Sequence, residues 1–152
     1  MAVPENVVKT SDFDFFSQEE AEVFDNTVGI RRRHIAPDNM CASDMCQAAA
    51  EKLLEELGWE RDSIDVLLFE SVTGDYRTPP TSCILQDRLA LSENCFCMDI
   101  PMGCCGCMYA ITVAGNLLTT GNVKRALLLI GDTALRMGSM LSLIHISEPT
   151  RH

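Results

Sequence analysis

Two hydrophobic patterns alternate along this chain. Ile64-Asp65-Val66-Leu67-Leu68-Phe69-Glu70 is almost continuously apolar, as a strand covered on both faces requires. Cys95-Phe96-Cys97-Met98-Asp99 and the run from Arg125 to Ile130 read as two further strands. Between and before them, apolar residues recur at helical spacing. Met45, Ala48, Ala49, Leu53 and Leu57 mark a helix that Ser43 or Asp44 can cap and Gly58 closes. A second helix fits Ser82 to Leu91, with Ile84, Leu85 and Leu89 inward, and a long one runs from about Cys104 to Thr120. Val72 to Pro80 holds Gly74, Pro79 and Pro80 and must be loop. Strand, helix, strand, helix, strand with short joints predicts a parallel sheet covered on both sides. Upstream, Ser17 followed by Glu20 is a capping box, and Ala21, Val23 and Phe24 give an apolar side, so a short helix is expected over 18–26, ended by Gly29. Residues 2–8 read as a loop or a strand end, and no internal repeat is visible.

Composition narrows the function classes. The chain has 152 residues, 47% of them hydrophobic, enough to bury the core of one domain or a large part of one. Its 22 acidic residues against 12 basic ones leave a net charge of −10, and nucleic acid, which demands a basic footprint, is excluded as a partner. The local exception is Arg31-Arg32-Arg33-His34, which on its own reads equally as a solvated face or as an anion-binding patch. No apolar run approaches the roughly 18–20 residues of a membrane span, so no membrane span is expected.

Five of the eight cysteines fall between Cys95 and Cys107, and no secretory signal precedes them, which favours reduced thiols and a cytoplasmic location. Metal binding fits poorly. Cys95 and Cys97 would point together on a strand while Cys105 and Cys107 would diverge on a helix. Cys95, Cys97, Cys105 and Cys107 are expected to be small buried hydrophobes. Cys104 differs by its place, after Gly103 where a strand turns into a helix. There the unpaired N–H groups and the positive end of the helix dipole favour a thiolate, and the backbone can approach a substrate carbonyl.

Three ordered blocks resemble the β-ketoacyl-acyl-carrier-protein synthase III family. Gly29-Ile30-Arg31-Arg32-Arg33-His34-Ile35-Ala36 is similar to the family's Gly-Ile-Arg-x-Arg segment. Pro79-Pro80-Thr81-Ser82-Cys83-Ile84-Leu85-Gln86 resembles its Pro-Ser-x-x-x-x-x-Gln helix entry. Asp99-Ile100-Pro101-Met102-Gly103-Cys104-Cys105-Gly106-Cys107-Met108-Tyr109-Ala110 resembles its Asp-x-x-x-x-Cys-Ser/Ala-Gly-Phe-x-Tyr-Ala nucleophile motif, and Gly121 to Gly131 fits the strand that follows. The likeness covers about residues 3–138.

The resemblance implies an α/β, thiolase-like fold, here its N-terminal half, with a mixed, mainly parallel sheet between helices. It implies that Cys104 accepts an acyl group from a thioester and that its own N–H serves an oxyanion hole. Decarboxylation of malonyl on an acyl carrier protein would follow, and the carbanion would attack the acyl-cysteine. No cofactor and no metal are implied. The partners implied are an acyl carrier protein, an acyl thioester and a second copy of the intact enzyme, and Arg31 and Arg33 are the expected carrier or substrate contacts. The family's histidine and asparagine lie in a C-terminal half that this sequence does not contain, and His34, His145 and His152 match no family position. Val23 and Thr27 stand where a tryptophan and an arginine clamp coenzyme A in well-studied members, which points to a carrier-bound or specialised donor. Thr78 stands where a bulky residue closes the partner's acyl pocket, so a longer or branched acyl group is expected. Another thiolase-fold condensing enzyme, of hydroxymethylglutaryl-CoA synthase or polyketide-starter type, and a non-catalytic carrier-binding subunit remain the alternatives.

Residues 1–140 are thus expected to form an incomplete half-domain with exposed apolar surface. Leu141-Ser142-Leu143-Ile144-His145-Ile146-Ser147-Glu148-Pro149-Thr150-Arg151 matches nothing in the family and resembles the translation of a transposase-type sequencing adapter, so 141–152 are expected to be a non-native tail.

Overall fold

The computed structural model describes residues 1–14 and 16–134, and the expected tail lies outside them. They fall into two compact units, one spanning Val3–Asn39 and the other running from Met40 onward, with Met1–Ala2 grouped with the second.

In the first unit β1 (Val7–Lys9) pairs antiparallel with β2 (Arg32–His34), Val8 opposite Arg33, so all of the basic cluster but Arg31 is a strand. Between them α1 (Gln18–Val28) begins at the expected capping box: the Glu20 N–H donates to Ser17 Oγ at 3.3 Å, and the Ser17 N–H donates to Glu20 Oε2 at 2.9 Å. The Ser17 N–H and the Ser17 hydroxyl, both donating to Glu20 Oε2, hold the Glu20 carboxyl below its usual range. Gly29 ends the helix at φ +78°, a left-handed cap that a residue with a Cβ adopts only under strain.

The second unit contains α2 (Ala42–Leu57), β3 (Val66–Glu70), α3 (Thr81–Arg88), β4 (Phe96–Ile100), α4 (Gly106–Thr119) and β5 (Ala126–Ile130). The strands form one parallel sheet in the order β4-β3-β5. The central strand, β3, buries all five of its side chains, as its continuous apolar run requires. Alternation assigns the faces. Leu67, Phe69, Leu127, Leu129 and Cys95 pack with Ala42, Cys46, Ala50 and Leu54 of α2 and with Leu85 and Leu89. Val66, Leu68, Ile100 and the half-buried Met98 and Leu128 pack against Ala110 and Ala114 of α4. Each fully buried Val, Leu or Phe of β3 contributes about 1.5–3 kcal/mol by leaving water.

Two expectations for α2 need correction. Its cap is Cys41, whose N–H donates to Asp44 Oδ2 at 2.7 Å, while Ser43 is fully buried and donates to Asp75 Oδ2 at 2.6 Å. The buried stripe is Ala42, Cys46, Ala50 and Leu54, and Leu53 and Leu57 are exposed. Both stripes have spacing four and both are apolar, so periodicity alone cannot choose the one that meets the sheet. On the other side, α4 leaves Met108, Tyr109, Ile111 and Leu118 exposed. Among the described residues no helix is long and apolar enough to cross a membrane.

Candidate functional site

The register aligns Glu70, Ile100 and Ile130, so all three strands end on one edge, the carboxyl edge where open α/β sheets bind ligands. Beyond β4 the chain passes Pro101 and Met102, makes a single 3-10 turn over Gly103–Cys105, and enters α4 at Gly106. Cys104 lies in that turn, one residue before the α4 cap Cys105, and is exposed. The helix therefore begins two residues later than the sequence pattern indicates, but the thiol keeps its place between strand end and helix start. Gly103 has φ +63°, and a Cβ there would sit 3.4 Å from Val72 Cγ1. The contact is an ordinary one, and it is the left-handed backbone angle that calls for glycine.

The neighbouring loops are tied down by carboxylates. Asp99, the first residue of the nucleophile motif, accepts from the Thr81 N–H through Oδ2 at 2.7 Å and from the Ser82 N–H through Oδ1 at 2.8 Å. It caps α3, where Pro80 at the cap position has no side chain to do so. Two of the three sequence blocks thus form one structural unit, and Asp99 has an architectural role beside Cys104. Asp132, just past β5, accepts through Oδ1 from Ser71 Oγ, the Val72 N–H, the Thr73 N–H and Thr73 Oγ1 at 2.8–3.2 Å. It anchors the loop on which Thr78 is exposed.

Glu70 lies beneath the Cys104 turn. The residue is 2% exposed, and among the described residues its Oε1 has no hydrogen-bond partner. A Cβ on Gly106 would overlap Glu70 Cγ, Cδ and Oε1, so α4 starts directly on this carboxyl group. Burial pushes the Glu70 carboxyl up, repulsion from Asp132 adds to this, and the Gly103 N–H partly offsets both. The sequence pattern marks Glu70 only as the end of a strand, and Asp132 carries no motif. An acidic residue closing a fully apolar strand was the one signal for Glu70, and a solvated strand end reads the same way.

The other cysteines differ in accessibility. Cys46, Cys95 and Cys97 all have raised thiols through burial, Cys46 to about 11 and Cys97 to about 12. Cys105 is exposed, contrary to expectation, and its thiol donates to Met102 O at 3.3 Å. The 3-10 turn causes this, because Cys105 precedes the first α-helical residue and so never joins the face that packs on the sheet. Cys107 is half-buried and Cys83 is exposed. Arg31 and Arg33 belong to the first unit. Arg31 is exposed, whereas the Arg33 guanidinium lies 5.2 Å from the Phe24 ring centroid and donates to Thr10 Oγ1 at 3.2 Å. In the second unit, a surface cleft lined by Glu51, Trp59, Arg61 and Ala90 lies toward the amino ends of the strands, away from Cys104.

No protein-family model matches the chain. It is 33% identical over 135 residues to the β-ketoacyl-[acyl-carrier-protein] synthase III of Xanthomonas oryzae pv. oryzae, covering 89% of this chain and 41% of that protein. It is 35% identical over 130 residues to the synthase III of Geobacillus kaustophilus, covering 86% and 42%. The solved 3-oxoacyl-(acyl-carrier protein) synthase of Burkholderia xenovorans superposes with a TM-score of 0.86 at 40% identity, covering 91% of this chain and 40% of that one. The chain thus spans about two fifths of the length of these relatives.

Proposed function

We propose that this chain, a homologue of the β-ketoacyl-acyl-carrier-protein synthases III with their thiolase-like fold, acts in acyl transfer with Cys104 as the group that receives the acyl chain. The observation that carries this reading is the exposed thiol in the Gly103–Cys105 turn, between the carboxyl end of a parallel strand and the start of α4. At such a junction the first-turn N–H groups of a helix are unpaired, and the helix dipole favours negative charge on an attacking sulfur. The thiolate attacks the carbonyl carbon of an acyl thioester, the donor thiol leaves, and the acyl group is held as a thioester on Cys104. Backbone N–H groups of the turn, that of Cys104 first, would stabilise the oxyanion formed on the way. In a protein of the relatives' length, condensation with a malonyl group on a carrier protein would follow.

Cys104 is preferred over the equally exposed Cys83 and Cys105 because it alone occupies the cysteine position of the Asp-x-x-x-x-Cys motif. In this reading Thr78 borders the acyl site and admits longer or branched chains, and the exposed Arg31 offers charge to an acidic carrier protein. Arg33, already engaged with Phe24 and Thr10, would support its strand and contribute less to a partner. The intact enzyme would be a homodimer, and residues 1–140 would be its N-terminal half-domain followed by a foreign tail.

Incubation with acyl-CoA or acyl-carrier-protein donors of graded chain length, followed by peptide mass spectrometry, tests the assignment. A thioester adduct on Cys104, absent in Cys104→Ala, is the expected result. An adduct confined to Cys83 or Cys105, or undiminished in the variant, would overturn it.

A further inference from the structure

Among the described residues, Glu70 is a buried carboxyl group at the carboxyl edge that the proposed acyl transfer leaves without a task. Three observations converge on it. The residue is only 2% exposed, and among the described residues Oε1 has no hydrogen-bond partner, an arrangement that costs free energy and is kept where it has a use. Its carboxyl fills the space that a side chain on Gly106 would need. Its other interaction at the turn is with the N–H of Gly103, the residue preceding Cys104. One side chain from β3 thus adjoins the cysteine turn on both sides of Cys104, with its close packing at Gly106.

We infer that Glu70 is a positioning residue for Cys104: its carboxyl anchors the Gly103–Gly106 turn on the end of β3 and sets the electrostatic field in which the neighbouring thiol ionises. This rests on the assignment of Cys104 as acyl acceptor. The sign of the field follows from charge. An ionised carboxylate under the turn opposes a second anion, so it works against the thiolate-favouring end of α4 and restrains the cysteine. Asp132 is the charged group that faces Glu70 from the β5 side and favours its neutral form. Asp99 is committed to the start of α3 and Asp75 to Ser43. The stretch from Pro101 to Cys107 has no charged residue, so no cation on it competes for Glu70.

Two substitutions separate anchor from charge. Glu70→Gln keeps the shape and loses the charge, whereas Glu70→Ala loses both. The readouts are the pH midpoint of iodoacetamide labelling at Cys104, followed by peptide mass spectrometry, and the rate of acyl loading from a thioester. In Glu70→Gln the labelling midpoint is expected to fall by about 0.5 pH unit or more, with loading within about twofold of the parent chain. In Glu70→Ala loading is expected to fall at least ~10-fold, as misplacement of a nucleophile does, and Gln at the same position rescues it. An unchanged midpoint in Glu70→Gln, or equal loading by the Ala and Gln variants, overturns the inference. If Glu70→Ala does not fold, the midpoint comparison between Glu70→Gln and the parent chain decides alone. If the parent chain takes no acyl group on Cys104, the acyl-transfer reading fails, while the labelling midpoint still tests Glu70.

Discussion

Two glycines of α4 provide a matched pair of perturbations. Gly106, at its first turn, has helical backbone angles of −59° and −34°, so alanine suits its backbone. Its added Cβ, however, would overlap three atoms of the Glu70 side chain. Gly115, nine residues further along the same helix, has nothing within 4 Å of the same imaginary atom. Gly115→Ala should therefore show the plain helix-propensity gain, about 0.5–1 kcal/mol. Gly106→Ala earns at most the same gain but must displace a buried carboxyl group, and overpacking of this kind costs about 1–3 kcal/mol. The net expectation is a loss of about 1–2 kcal/mol, or roughly 2–8 °C in Tm for a chain of this size. The two alanine variants should then differ by about 1.5–3 kcal/mol in urea or thermal denaturation. The cause is checked by a double-mutant cycle. In a Glu70→Ala background the clashing atoms are gone, and Gly106→Ala should become neutral or stabilising. Equal stabilities for Gly106→Ala and Gly115→Ala, or a Gly106 penalty that survives removal of Glu70, would refute the packing of α4 onto that carboxyl group.

Other consequences can be measured alongside. Asp99→Ala removes both acceptors from the start of α3 and should cost about 1–3 kcal/mol, seen by denaturation and by faster amide exchange at Thr81 and Ser82. Asp65 accepts from the Lys124 and Arg125 N–H groups, which lower its carboxyl below the usual 3.8. Its stabilising effect is present at neutral pH and is lost as pH falls below about 4, so Asp65→Asn should flatten the acid limb of a stability-against-pH curve. Glu70 has the opposite sign. Its raised carboxyl makes ionisation a cost that is absent in acid and complete above the folded-state pKa, so Glu70→Gln should gain stability relative to the parent as pH rises toward neutral. In a labelling time course at pH 8, Cys46, Cys95 and Cys97 should lag far behind Cys83, Cys104 and Cys105, because their raised thiols are also partly or wholly shielded. Early modification of Cys46 would contradict its burial on the sheet-facing side of α2.

Much of the architecture was legible in the order of residues. The unbroken apolar run of β3 could only be a doubly covered strand, Ser17 with Glu20 announced the start of α1, and a glycine before a cysteine at a strand end marked the turn. These are local signals, each carried by a few neighbouring residues whose backbone preferences and spacing act without the rest of the chain. What the sequence could not decide were choices between equivalent local options. The two apolar stripes of α2 differ by one residue, and only contact with Leu67 and Phe69 selects Cys46, Ala50 and Leu54 over Leu53 and Leu57. Whether Asp99 serves catalysis or caps α3, and whether Glu70 is a wet strand end or a buried wedge under the nucleophile turn, depends on elements 18 and 36 residues away respectively. A carboxylate takes its role from what surrounds it, and that surrounding exists only once β3, β4 and α4 have come together.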